Sequence, residues 1–216
     1  MFSFNNKNNK IILHKENGEV KIVQKLNWLD ISFKGNNSIV EIWEPYKFRK
    51  VFGKRRSKIK INGNNNYIQI KQNKRYVQTL HIIEIGHNNK IFIGENFYVT
   101  GKLKIDFANQ SNLELNIGDN CMFGQNIEFM LGDWHSIYNN QTQECINKPK
   151  NGISIGNHVW LARNVKLLKD TSIPNNSIVG YGSVVTKQFT QENVIIAGFP
   201  AKIIKENIDW DYQNTI

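Results

Sequence analysis

The chain has 216 residues, 40% of them apolar, a formal net charge of +10 and two cysteines. That is enough material to bury a core, yet no apolar run approaches the roughly 18 residues that cross a bilayer, and the opening MFSFNNKNNK has no apolar signal core. Cys121 and Cys145 are too few and too unpatterned for a disulfide framework or a zinc site, so the expectation is a cytoplasmic protein, at most peripheral to the inner face of a membrane.

Residues 1–30 carry no repeat, although KIILHKENGEVKIV alternates like paired strands around an Asn-Gly turn; they are expected to form an irregular cap or hairpin over a first coil. The strings GNNSIVEI from Gly35, GNNNYIQI from Gly63 and GHNNKIFI from Gly86 follow, echoed by NQSNLELNI from Asn109. Each joins a polar turn to an alternating strand, as successive turns of one solenoid would. Their spacings exceed the roughly 18 residues of three six-residue faces, so each turn should carry a bulge or loop. Asn suits such turns because it tolerates left-handed backbone and can bond the next turn in a ladder. Within this half, KFRKVFGKRRSKIK (47–60) holds eight basic and no acidic side chains. It attracts polyanions, or it is a solvated edge that blocks aggregation. No nucleic-acid motif accompanies it, and nucleic acid is not an expected partner.

From Ile93 an apolar residue returns every sixth position: Ile93, Val99, Ile105, Ile117, Phe123 and Phe129, then Ile155, Leu161, Leu167, Ile173 and Val179. Ser111 is the one gap. A period of six is too slow for a helix and fits a parallel β-helix, whose short flat faces each supply one inward residue followed by a small corner residue. Gly94, Gly118, Gly124, Gly156, Ala162, Pro174 and Gly180 hold that corner place, and Leu168 breaks the series. The two columns are out of register, because 129 to 155 is not a multiple of six. An insertion over 131–152 is therefore expected, and its histidine and aromatics point to function. The segment ENVIIAGFPAKIIKENIDWDYQNTI leaves the period, so the domain reading is a cap at 1–30, the β-helix at 31–198 and a C-terminal tail or short helix at 199–216.

The run IGNHVWLARNVKLLKDTSIPNNSIVGYGSVVTK, followed by AGFPAKIIK, resembles the C-terminal half of the hexapeptide-repeat acyltransferases. The bacterial capsule and O-antigen O-acetyltransferases are the nearest branch, and the likeness is strong over 117–205. The resemblance implies an all-β, left-handed parallel β-helix with an active-site loop, a homotrimer with active sites at subunit interfaces, and acetyl-CoA as co-substrate without a metal. Members of the family take their general base from a histidine on an excursion loop, and His135 matches it. A sugar hydroxyl titrates far above neutrality, so a neutral imidazole is needed to remove its proton. Asp133 and Glu144 lie near in sequence, and the group that orients the ring stays open.

Trp160 matches the tryptophan that walls the thioester end of the cofactor channel and joins His135 in the catalytic assignment. By the same resemblance Ala162, Arg163, Tyr181 and Thr186 lie along the pantetheine arm, Tyr181 being larger than the residue usual there. Lys202 and Lys205 match the positions that meet the coenzyme phosphates. Asp133, Trp134 and Tyr138 are the expected acceptor contacts. His81, His87 and His158 are weaker candidates, no histidine pattern fits the zinc site of the carbonic-anhydrase branch, and Cys121 reads as a small packed residue.

The expected reaction is direct acetyl transfer in a ternary complex to a hydroxyl of a surface polysaccharide or its sugar precursor. An amino-sugar nucleotide as acceptor would make it N-acetylation by the same base. An antibiotic acceptor would call for an apolar pocket that the polar loop opposes, and a non-enzymatic scaffold is the remaining alternative.

Overall fold

The computed structural model describes residues 8–45, 57–73 and 77–212. Its described residues form twenty strands and no helix, so none is long and apolar enough to cross a membrane. The strands wind into a three-sided parallel β-helix. Face I stacks Lys10–His14, Ile39–Trp43, Tyr67–Ile70, Lys90–Ile93, Glu114–Ile117, Gly152–Ile155 and Thr171–Ile173 in chain order. Face II holds Met122–Phe123, Trp160–Leu161, Ile178–Val179 and Ile195–Gly198. Face III holds Leu29–Phe33, Ser57–Ile61, Ile127–Met130, Lys166–Leu167 and Val184–Val185. The long strands Val77–Ile85 and Tyr98–Asp106 bend through the corner between faces II and III and belong to both.

Coil length changes along the axis. Face I partners advance by 29, 28, 23 and 24 residues from Lys10 through Ile39, Tyr67 and Lys90 to Glu114. The next coil takes 38, to Gly152, and the one after takes 18, from Ile153 to Thr171. The 38-residue coil is the regular coil plus the excursion that the broken hexad predicts. The eleven residues of the two hexad columns are all at most 3% exposed, which fixes them as the inward line of the prism. Phe97, Phe123 and Phe129 meet edge to face along it, with centroids 5.0 and 5.8 Å apart, contacts each worth ~0.5–1.5 kcal/mol beyond area burial.

The corner entering face I explains the Gly-Asn strings. A Cβ on Gly35 or Gly63 would lie 2.1 Å from the carbonyl oxygen of the next coil's glycine. Asn8, Asn37, Asn65, Asn88 and Asn112 all have left-handed φ, between 56° and 67°. Their side-chain amides bond in an axial chain at 3.1 to 3.4 Å. Beneath them buried Asn66 and Asn89 satisfy amides and carbonyls of adjacent coils. His87 and Ser111 belong to a neighbouring ladder: His87 Nδ1 accepts from the Asn64 amide at 3.1 Å, and Ser111 Oγ accepts from the His87 amide at 2.8 Å. The gap in the hexad at Ser111 is therefore a corner position.

Each end carries a hairpin, as expected at the N-terminus, but the boundary of the solenoid moves. The parallel ladder begins at Lys10 rather than at residue 31, because Lys10–His14 pairs in parallel with Ile39–Trp43 while its other edge forms an antiparallel hairpin with Val20–Val23. Of the tail or short helix expected at the C-terminus, the described residues form a tail that opens as a hairpin: Ile195–Gly198 pairs antiparallel with Ala201–Lys205 and covers the last coil. Of the basic segment 47–60, residues 47–56 lie outside the described residues.

Replacing Gly63 with alanine is expected to lower stability by at least the ~1–3 kcal/mol of an overpacked core, read as a shift in the urea unfolding midpoint. An unchanged midpoint would mean that this corner can open.

Candidate active site

The excursion leaves the prism where face III ends, after Met130, and re-enters face I at Gly152. It is a hairpin of its own: Tyr138 bridges Cys145 antiparallel, and the Ile146 amide donates to the Ile137 carbonyl at 2.8 Å. Asn147 ties the strand that carries His135. Its Nδ2 donates to the Asp133 carboxylate at 2.7 Å and to the His135 carbonyl at 2.9 Å, and its Oδ1 accepts from the Ile137 amide at 2.8 Å. Lys169 joins this knot to the solenoid through an ion pair with Asp133 and a 2.8 Å hydrogen bond to the Asn147 carbonyl. The returning foot is held by Asp170, whose Oδ1 accepts from the amides of Lys150, Asn151 and Gly152 at 2.8, 2.7 and 3.3 Å.

His135 is exposed, and among the described residues no side chain bonds to its ring; Asp133 and Glu144 are both engaged elsewhere. Trp134, Ile137, Tyr138 and Ile146 stand more than half exposed on the same loop. Partial burial alone would raise the Asp133 pKa, but the hydrogen bonds from Lys169 and Asn147 outweigh it and hold the carboxyl below its ordinary value of 3.8. Asp133, one of the expected acceptor contacts, is tied into the loop through Asn147 and Lys169.

A second feature lies at the corner between faces II and III. Trp160, Ala162, Arg163 and Tyr181 line one apolar groove of about 310 Å³ with Thr100, Met122, Phe123 and Gly124. Its concavity follows from the hexad, since the small corner residues Gly124 and Ala162 stack there while Met122 and Trp160 project from face II in register. Tyr181 is 72% exposed, and its hydroxyl accepts from Asn164 Nδ2 at 2.8 Å, which turns the ring along the groove rim. Lys202 pairs with Ala197, directly above Gly180, at the axial end of the same corner. Lys205 pairs with Ile195, in the column of Trp160 and Ile178. Thr186 follows Val184–Val185 at the far edge of face III, the edge from which the loop springs. The structure therefore gathers Trp160, Ala162, Arg163 and Tyr181, sets both lysines above them, and leaves Thr186 and His135 at another corner.

Three features escaped the sequence reading. Lys169 and Asp170 sit at the corner after Leu168, where the small-residue series breaks; that break was the available signal. The bridging Asn147 had none. The tail packs back on the prism: the Trp210 ring stacks on His158 with centroids 4.2 Å apart, its Nε1 donates to the His158 carbonyl at 2.8 Å, and it lies 6.0 Å from Trp160. Cys121 is buried, and its thiol is pushed up to about 12, chiefly by desolvation, so it is no nucleophile at neutral pH.

No family model matches the chain. Over 172 residues it is 38% identical to the polysialic acid O-acetyltransferase of Neisseria meningitidis, a match covering 71% of this chain and 79% of that protein. It is 31% identical over 131 residues to the galactoside O-acetyltransferase of Escherichia coli K12; that match covers 60% of this chain and spans only 60% of the relative's length. Among solved structures, the polySia-specific acetyltransferase NeuO aligns with a TM-score of 0.71 and 25% identity over 98% of this chain and 88% of that one. The polysialic acid O-acetyltransferase OatWY aligns with a TM-score of 0.62 and 28% identity over 87% of this chain and 88% of that one. With the repeat, the fold and a relative matched over most of its own length in agreement, the chain belongs to the hexapeptide-repeat O-acetyltransferases, enzymes built on the left-handed parallel β-helix.

Proposed function

We propose that this enzyme transfers the acetyl group of acetyl-CoA to a hydroxyl of a bacterial surface polysaccharide, with an anionic polymer of sialic acid as the acceptor class suggested by its relatives. The net charge of +10 suits a polyanionic acceptor. A polar cleft of about 490 Å³ at the foot of the loop, lined among others by Glu114, Asn116, Ser154, Ser172 and Gln188, offers hydroxyl and amide partners to a sugar chain. Because acetyl-CoA is an intracellular thioester, the reaction belongs on the cytoplasmic side of the membrane.

One observation carries the reading: a slender apolar groove built from matching positions on successive coils, in a chain that also carries an exposed histidine on its excursion loop. In the groove the Trp160 indole gives the pantetheine arm a flat apolar wall at little entropic cost, and Lys202 and Lys205 meet the phosphates at its end. Neutral His135 takes the proton of the acceptor hydroxyl as its oxygen attacks the thioester carbonyl. The tetrahedral intermediate then expels the coenzyme thiolate, which recovers that proton from the imidazolium. Trp134 and Tyr138 flank the acceptor, and no acyl-enzyme forms.

His135 and the groove lie at different corners of one prism. We therefore assign the working unit to a homotrimer in which the loop of each chain faces the groove of its neighbour, the exposed Trp134, Ile137, Tyr138 and Ile146 are covered at the interface, and Thr186 reaches the cofactor from the loop-bearing side.

Thiol release from acetyl-CoA, measured with polysialic acid beside neutral polysaccharides, is expected to fall ~10²–10⁴-fold in kcat for His135→Ala while coenzyme binding by calorimetry is unchanged. Undiminished release by the variant would remove His135 from the mechanism. Ala162→Trp fills the groove and should be inactive alone, yet co-expression with His135→Ala should restore part of the activity, because a mixed interface pairs an intact histidine with an intact groove. No restoration would place the whole site within one chain.

A further inference from the structure

We infer that Lys169, with its neighbour Asp170, is a positioning clamp for the catalytic loop: it fixes the strand that carries His135 to the rigid solenoid and so sets where the base stands. The inference rests on the assignment of His135 as general base.

The insertion interrupts the ladder of parallel backbone hydrogen bonds that joins the faces of the coils on either side of it. Main-chain bonds hold the excursion to the prism at its two feet: the Leu131 amide donates to the Asp106 carbonyl at 2.9 Å, and the Asn151 carbonyl accepts from the Glu114 amide at 3.3 Å. Between the feet, the bonds among the described residues that tie the strand from Asp133 to Ile137 to the solenoid run through side chains, with the Asn147 carboxamide at their centre. Asn147 touches Asp133, His135 and Ile137 at alternate positions of that strand. Asn147 and Asp133 are in turn held by Lys169, which donates to the Asp133 carboxylate and to the Asn147 main-chain carbonyl. Lys169 stands on the turn between Lys166–Leu167 and Thr171–Ile173, two strands locked in the parallel ladders of faces III and I. Asp170 holds the other foot through three amides. Two consecutive residues of one rigid turn therefore grip both limbs of the loop. Gln110 Nε2 adds a 3.3 Å bond to the Asp133 carbonyl from the coil below.

The charge arrangement agrees. Burial works against an ionised Asp133, but the Lys169 and Asn147 hydrogen bonds bring its carboxyl below the ordinary value, so it is an anion at neutral pH and Lys169 has a full charge to hold. The Lys169 side chain is 23% exposed and that of Asp133 41%, so the ion pair alone is weak, and the clamp depends on its joint hydrogen bonding with Asn147. Because a base misplaced by about 1 Å can cost ~10²-fold in rate, an anchor two residues from His135 bears directly on kcat. It makes no demand on the coenzyme groove, which lies at another corner.

The test compares wild type, Lys169→Met and Lys169→Arg by hydrogen exchange and by steady-state kinetics with acetyl-CoA and polysialic acid. Lys169→Met should speed exchange of the peptides covering 133–148 by ~10-fold or more and leave 153–167 and 171–185 unchanged. Its kcat should fall ~10–100-fold at an unchanged KM for acetyl-CoA, and Lys169→Arg should restore both readouts to within about threefold of wild type. The clamp is refuted if loop exchange stays slow in Lys169→Met, if the whole solenoid loosens together, or if kcat survives a loosened loop. His135→Ala, run in parallel, separates the two assignments. If that variant keeps full turnover, the base assignment falls, and the exchange data still decide whether Lys169 holds the loop.

Discussion

Each coil of this protein sits on the one below at the spacing of a strand hydrogen bond, about 4.8 Å. At a corner that spacing brings backbone against backbone. The contact between Gly35, Gly63 and Gly86, where a Cβ would meet a carbonyl oxygen at 2.4 Å or less, is its most direct expression. The left-handed asparagines beside these glycines are its other face: the chain must reverse in very few residues, and Asn tolerates that geometry while its amide bonds the next coil. Rungs, columns and faces all inherit their register from these corners.

The same constraint makes the site. A corner that admits only small residues is a concave corner wherever its neighbours project outward. Gly124 and Ala162 stack beside Met122 and Trp160, and a groove of slender width results without any element devoted to it. The solenoid also dictates where a loop can be inserted, because only a corner can be lengthened without breaking a rung. The excursion uses the corner between faces III and I and thereby loses the backbone ladder that supports the rest of the chain. Side chains replace the ladder there, with Asp170 at one foot and the Lys169, Asp133 and Asn147 knot at the other. Rigid scaffold and separately anchored loop are thus consequences of one packing rule.

Much of this was legible in the residues themselves. The hexad named the inward line, the break in register located the insertion, and the Gly-Asn strings marked the early corners. The ends were less legible. Lys10–His14 reads as an isolated hairpin strand because its parallel partner, Ile39–Trp43, is 29 residues away. The tail reads as a short helix or coil, since nothing local in PAKIIK announces an antiparallel partner. His158 reads as a polar corner residue, which it is, at φ 54°; that it also carries the stacked Trp210 depends on a contact between residues 52 positions apart.

The sequence by itself determined the period, the inward column, the corners and the place of the excursion, because each of these is a local property: side-chain size and backbone tolerance repeated at a fixed interval. Only the tertiary structure decided which corner each feature occupies. It set His135 and the Trp160 groove on different edges of the prism, tied Asp133 to Asn147 and Lys169, and placed Lys169 at the foot of the loop. Those outcomes depend on how many residues each coil takes to return to its starting face, and coils of 29, 24, 38 and 18 residues return to the same face only once their loops and bulges have been folded out of the way.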